Sequence, residues 1–214
     1  MAMPFQPQVN LERWLQLMAA WNFAPNRETF DSLVAAYSER GRYYHTAEHV
    51  SACLRHLDAC AHALEFPREV EIALWFHDAV YKPFSGDNEK ASADWAASFL
   101  TTQEATEEQV ARVHDLIMVT EHNAPVRTRD EAVLADIDLS ILGADARTYE
   151  VFESAIRKEY RRVPPMIYRR KRAEILRGFM RRPKIFTSTC FPEDIERQAR
   201  TNLARAISRL EGRE

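Results

Sequence analysis

The sequence predicts an all-α fold, and three observations carry that reading. Only five glycines interrupt 214 residues. No stretch shows the strict apolar–polar alternation of a half-buried strand. Ala, Leu, Arg and Glu, residues of high helix propensity, are abundant throughout. The length suits one domain with a sizeable core. With no repeat, low-complexity tract or linker, residues 1–214 are read as a single all-α domain.

The elements follow from caps, breakers and apolar spacing. Asn10 can cap a first helix with Leu11, Trp14, Leu15 and Met18 inward, broken by Pro25. Asn26 can cap a second, with Phe30, Leu33, Val34 and Tyr37 inward and Gly41 at its end. A third is expected from about His45 through Val50, Leu54, Leu57, Ala61 and Leu64. Pro67 separates it from a helix carrying Ile72, Trp75, Phe76 and the pair His77-Asp78. Pro83 and Gly86 mark a loop, after which Asp87 can cap a helix burying Ala91, Trp95 and Phe99. Thr106-x-x-Gln109 is a capping-box pattern for a helix through Val110, Val113 and Ile117. Beyond a polar loop with Pro125, a short helix carries Val133, Leu134 and Ile137 and presents Asp136 or Asp138. Asp145 can cap a long helix through Tyr149, Phe152, Ile156 and Tyr160, stopped at Pro164-Pro165. Helices around Met166–Met180 and Pro192–Leu210 complete the chain, with Pro192 suited to a first helical position.

Composition narrows the function. Hydrophobic residues make up 46% and charged residues 29%, the balance of a soluble globular protein. A net charge of −3 and a pI near 6.2 speak against a protein that coats nucleic acid. Met1 to Gln8 has no charged segment followed by an apolar run, so no secretory signal is expected there. No apolar run is long enough to span a membrane. Cys53, Cys60 and Cys190 are not in metal-like pairs and read as free thiols in a reducing compartment. A cytoplasmic location is expected.

The chemistry concentrates in Tyr44-His45-Thr46-Ala47-Glu48-His49, in His77-Asp78 and in Asp136-Ile137-Asp138. Imidazoles with carboxylates are what a divalent cation needs if it is to bind firmly and still activate water. If helical, His45 and His49 share one face, a turn apart. His77 and Asp78, about 100° apart on a helix, would reach one point from opposite sides of its face. Asp136 and Asp138 would point about 200° apart, so only one can join them. Two imidazoles with carboxylate oxygens suit Mn, Fe, Co, Ni, Zn or Mg with water filling the rest. A four-sulfur structural zinc site is excluded by the cysteine count. A zinc-protease helix is disfavoured, because Thr46 stands where that motif has its Glu.

The spacing H…HD…D resembles the HD superfamily of metal-dependent phosphohydrolases, from Arg42 to about Leu203. Tyr44-His45-x-x-x-His49 looks like the opening motif of its cyclic-nucleotide phosphodiesterase branch. Trp75-Phe76-His77-Asp78-Ala79-Val80-Tyr81 and Asp138-Leu139-Ser140-Ile141-Leu142-Gly143 look more like a bacterial branch with no assigned substrate. So do Asp87–Ala93, Ile156–Tyr160 and Ala199–Leu203. The resemblance implies an HD-type helical bundle with a divalent cation held by His49, His77, Asp78 and Asp138. Asp138 is favoured over Asp136 because Asp-Leu-Ser resembles the closing motif of the phosphodiesterases. It implies His45 as proton donor, with a direct ligand role as the alternative, and catalysis at the metal through Asp78. The implied function is hydrolysis of a nucleotide or related phosphate ester by metal-activated water. The alternative is a non-catalytic metal-containing module that binds a phosphorylated effector.

Three further features bear on a phosphorylated small-molecule substrate. From Arg157 to Lys184 there are twelve Lys or Arg against two acids, Glu159 and Glu174. Such rows can clamp phosphate, and Arg157 and Arg172 are the expected contributors. Most of the rest form a solvated face, and a nucleic-acid surface is the weaker reading. His122 is expected to contact substrate or a second cation, with a plain surface histidine as the alternative; His114 is held in reserve. Asp87, Asn88 and Glu89 suit either orienting water or binding a second cation, or else a helix start capped by Asp87.

Overall fold

The computed structural model describes residues 8–123 and 125–213. The absence of a signal at Met1–Gln8 was read almost entirely from residues outside that range. Among the described residues there are ten α-helices and no β-strand. They are α1 (Leu11–Trp21), α2 (Arg27–Tyr37), α3 (Ala47–Cys60), α4 (Pro67–Phe76), α5 (Asn88–Thr102), α6 (Glu107–Met118), α7 (Arg129–Asp138), α8 (Ala146–Glu159), α9 (Pro165–Met180) and α10 (Glu193–Glu211). No described helix is long and apolar enough to cross a membrane.

Local chemistry accounts for most boundaries. Asn10 accepts from the Arg13 N–H, Thr106 and Gln109 make both bonds of the capping box, and Asp145 accepts from Arg147 and Thr148. Asn26 precedes α2 in a left-handed conformation (φ 46°) without a side-chain cap, and Asp87 makes none either. Pro67 and Pro165 open α4 and α9, where a missing N–H costs nothing, whereas Pro192 lies one residue before α10. In α1 the buried stripe is Trp14, Leu17 and Met18; Leu15, one position on from Trp14, is turned about 100° away and faces solvent.

The third helix begins at Ala47, two residues later than the sequence suggested. Tyr43, Tyr44 and His45 are therefore loop, and His45 and His49 do not share a helix face. The loop is pinned from both sides. Arg42 is buried and donates to the carbonyls of His45, Asp78 and Ala79. One carboxylate oxygen of Glu159, at the end of α8, accepts the N–H groups of Tyr43, Tyr44 and His45 at 2.7, 2.8 and 3.2 Å.

Two apolar cores organise the helices. The first joins α1–α7 around Trp14, Leu54, Trp75, Phe76 and Leu100. The second joins α8–α10 and the turn after α7 around Leu142, Phe152, Leu176 and Leu203. α10 reaches that turn because Gly143 has no side chain; a Cβ there would run into Ile195. Tyr44 bridges the cores, its ring 4.7 Å from His49 and 4.5 Å from Phe152 between centroids.

Candidate metal centre

Three helix segments deliver the ligands. His49 lies one turn into α3 and is buried. α4 ends at Phe76, so His77 caps it and Asp78 has already left the helix. This is how two consecutive side chains reach one point, rather than from opposite sides of a helical face. Asp138 is the last residue of α7.

Their polar atoms converge. His49 Nε2 is 3.1 Å from His77 Nε2, 3.1 Å from Asp138 Oδ1 and 3.5 Å from Asp78 Oδ2. His77 Nε2 is 3.1 Å from Asp78 Oδ2 and 3.6 Å from Asp138 Oδ1. Nδ1–H of His77 donates to the Leu74 carbonyl at 2.9 Å, which aims Nε2 at the other ligand atoms, the nitrogen whose lone pair a cation would take on displacing its proton. Two imidazole nitrogens and two carboxylates thus face one another, a donor set suited to a cation. Ligands about 2.1 Å from a shared ion sit about 3.0–3.4 Å apart, and the distances between these atoms, 3.1–3.6 Å, are close to that spacing. The residues present therefore fit a divalent cation.

A buried His49–Cys53–His77–Asp138 group has all its ligand atoms within 4.8 Å of one another. Cys53 is the member that sequence reasoning missed. Its Sγ is 3.8 Å from both ring nitrogens of His49. Burial, with Asp138 and Asp78 adding to it, pushes its thiol pKa well up. The signal is in the sequence: His49 and Cys53 are four apart on one helix, a spacing that puts the thiol on the ligand face. Asp78, with an oxygen 3.1–3.5 Å from both imidazoles, completes the oxygen side.

Electrostatics inside the cluster favour charged partners. Burial works against protonating His77, but Asp78 and Asp138 outweigh it and hold its pKa well above the ordinary value. For Asp138, burial is opposed by bonds from His122, His49 and His77, which hold the carboxyl well below its usual range. His122 Nε2 meets the second oxygen of Asp138 at 2.8 Å and so fixes the carboxylate's orientation. Asp136 faces elsewhere. It accepts the N–H groups of Thr187 and Ser188 at 3.0 and 2.6 Å, tying the α9–α10 connection to α7.

Beside the cluster, His45 Nδ1 meets Glu159 Oε2 at 2.8 Å, and its ring stacks on Tyr81 with centroids 4.1 Å apart. The Tyr81 hydroxyl donates to the same oxygen at 2.8 Å. The Glu159 side chain is fully enclosed. Burial would raise its pKa, but His45 and the backbone amides bring it down to about 2. Burial likewise lowers that of His45, yet Asp78 and Glu159 together raise it above the ordinary value. Glu159 was counted in the sequence only as an acid within a basic run. Its place on the stripe Tyr149–Phe152–Ile156–Glu159, spaced three or four apart, marks it as inward-facing.

His45, Asp78, His122 and Asp138 line a cleft of about 570 Å³. Arg172 also lines it, with its guanidinium on Glu153 at 2.6 and 3.3 Å and over the Phe152 ring. Arg157 lies in the wall of a different cavity, its guanidinium donating to the carbonyls of Tyr160 and Val163. Glu89 lines the cleft, whereas His114 lies beside Asp94 and Asp115. No model of a known protein family matches this chain, and neither a curated protein nor a solved structure matches it.

Proposed function

We propose that this protein is a metal-dependent phosphohydrolase that cleaves a phosphate ester, a nucleotide or a related compound. The carrying observation is the meeting of two imidazole nitrogens with the carboxylate oxygens of Asp78 and Asp138, two residues that line a cleft. The motif resemblance to the HD superfamily supports the same reading. His49, His77, Asp78 and Asp138 would hold the cation, with Cys53 against His49. When bound, such a cation supplies Lewis acidity and lowers the pKa of bound water from 15.7 to about 7.

The chain's own residues supply the remaining functions. Glu159 fixes His45 through Nδ1, which leaves Nε2 as the ring nitrogen available to substrate. The carboxylate stabilises the imidazolium, so His45 carries a proton to an oxygen leaving phosphorus. Tyr81, stacked on the ring and bonded to Glu159, limits its rotation. His122 orients Asp138. Arg172, neutralised by Glu153, positions the cleft wall and adds little net charge for phosphate.

Phosphate release, screened over mononucleotides, cyclic nucleotides and nitrophenyl esters with Mn, Fe, Co, Ni, Zn and Mg added in turn, tests this reading. Metal-dependent turnover that His45→Ala reduces is expected. Stoichiometric metal binding with no turnover of any ester would leave only a metal-containing binding module.

A further inference from the structure

The metal centre has a donor that hydrolysis of a phosphate ester does not require. Cys53 is 1% exposed, and its Sγ lies 3.8 Å from both Nδ1 and Nε2 of His49. A thiolate about 2.3 Å and an imidazole about 2.1 Å from one tetrahedral ion sit about 3.6 Å apart, close to that distance. The sulfur belongs with His49, His77 and Asp138 to the group whose ligand atoms all lie within 4.8 Å of one another, and Asp78 is not in that group.

His49, His77 and Asp138 thus have two neighbours able to complete a site, and the two differ in surroundings and in chemistry. Asp78 lines the cleft with a side chain 18% exposed, so a cation on its side can keep water. Cys53, one turn beyond His49 on α3, is enclosed and is not among the cleft-lining residues. A buried thiol is ordinarily inert packing. Beside two imidazoles and a carboxylate it is a soft donor in a harder set, and softness decides which cations gain from it. Zn, with Co as its stand-in, accepts thiolate readily, whereas Mg and Mn prefer carboxylate and water.

We propose that Cys53 enters the coordination sphere of a thiophilic cation and biases this centre toward Zn over Mg and Mn. The S–H bond is exchanged for a sulfur–metal bond and the proton goes to solvent, with no change of oxidation state. Mg and Mn are held by the nitrogen and oxygen donors alone. This rests on the metal centre of the phosphohydrolase reading, but it concerns which cation the centre keeps and not whether an ester is cleaved.

The experiment titrates Co into metal-free protein and reads its absorption, since thiolate bound to Co gives an intense charge-transfer band in the near ultraviolet. The parent protein should show the band, and so should the double variant Cys60→Ser, Cys190→Ser. Cys53→Ser should lack it while still binding Co through the remaining donors. Competition against chelators of known affinity should find Zn bound at least about 10-fold more weakly by Cys53→Ser, no less than the loss on removing a mere orienting partner, with Mg and Mn affinities unchanged. Retained Mn affinity also shows that the variant keeps its fold; if no Cys53 variant folds, the parent and double-variant spectra decide the point. A Co complex of the parent protein without the band, or a band that survives in Cys53→Ser, would overturn this inference and leave the metal centre standing. Equal loss of Zn and Mn affinity in Cys53→Ser would also overturn it, as the mark of a packing residue. Failure to bind Co, Zn or Mn at all would overturn the metal centre itself.

Discussion

The core of α1–α7 is built around six large side chains with no exposed surface, Trp14, Leu33, Leu54, Trp75, Phe76 and Leu100. The core of α8–α10 is smaller, with Leu176 and Leu203 fully enclosed and Phe152 and Tyr168 7% and 8% accessible. Its helices also leave Val151, Met166, Ile167 and Ile175 largely in solvent. The two regions divide the labour. Every candidate metal ligand is delivered by the first region, where close packing fixes side chains to fractions of an ångström. The second contributes Glu159, which sets the His45 loop, and the α9 residues that line the cleft. Changes in the first region should therefore act on metal, and changes in the second on rate and choice of substrate.

The largest expected effect lies in the first region. His49→Ala should lose metal and activity together, on every substrate, because Nε2 contacts three of the other ligand atoms. Metal bound only to the folded state also stabilises it, so the melting temperature should no longer respond to added Mn. Retained metal with retained turnover would break the division.

Next is His45→Ala, which sits where the two regions meet. It should keep its metal while kcat falls by about 10²–10⁴-fold. The loss should shrink on a nitrophenyl ester, whose leaving group needs little protonation. If His45→Ala strips the metal, the histidine belongs to the ligand shell.

A smaller effect is expected at His122, bonded to the far oxygen of Asp138. His122→Ala should weaken metal affinity about 10–100-fold, the usual cost of removing an orienting partner. Titration against a chelator of known affinity would measure it. An unchanged affinity would make His122 a cleft residue only.

The subtlest effect is the pH dependence set from the second region. Glu159 raises the pKa of His45, so the imidazolium needed as acid persists to higher pH. Glu159→Gln should shift the alkaline limb of the kcat profile to lower pH while metal content holds. The stability sign is the opposite of that for a raised group. The Glu159 carboxyl is held near 2 instead of about 4.5, so its contribution is complete above 4.5 and is lost as pH falls toward 2. Urea midpoints at pH 6 and pH 3 should therefore converge in Glu159→Gln relative to the parent protein.

Helix identity was legible because caps and apolar stripes are local. Thr106-x-x-Gln109 and Asp145 behave as their sequence context implies. What could not be read was the exact end of a helix where tertiary contacts decide it. Arg42 and Glu159, 117 positions apart, hold the 43–45 loop out of α3, and no local signal reports that. The HD pair was legible as chemistry, but its geometry depended on α4 ending at Phe76. Arg157 shows the limit of counting charge: its guanidinium closes the end of α8 by bonding carbonyls, a use that looks identical in sequence to a phosphate clamp.

A cation held where α3, α4 and α7 converge is the central proposal, and metal content tests it most directly. Elemental analysis of protein made without a metal-binding tag, after offering Mn, Fe, Co, Ni and Zn, should find close to one equivalent or more. Asp138→Asn should lose most of it. Asp136→Asn, whose carboxylate holds Thr187 and Ser188 instead, should keep it and lose only stability. Less than about a tenth of an equivalent in the parent protein, or equal loss in the two variants, would contradict the assignment.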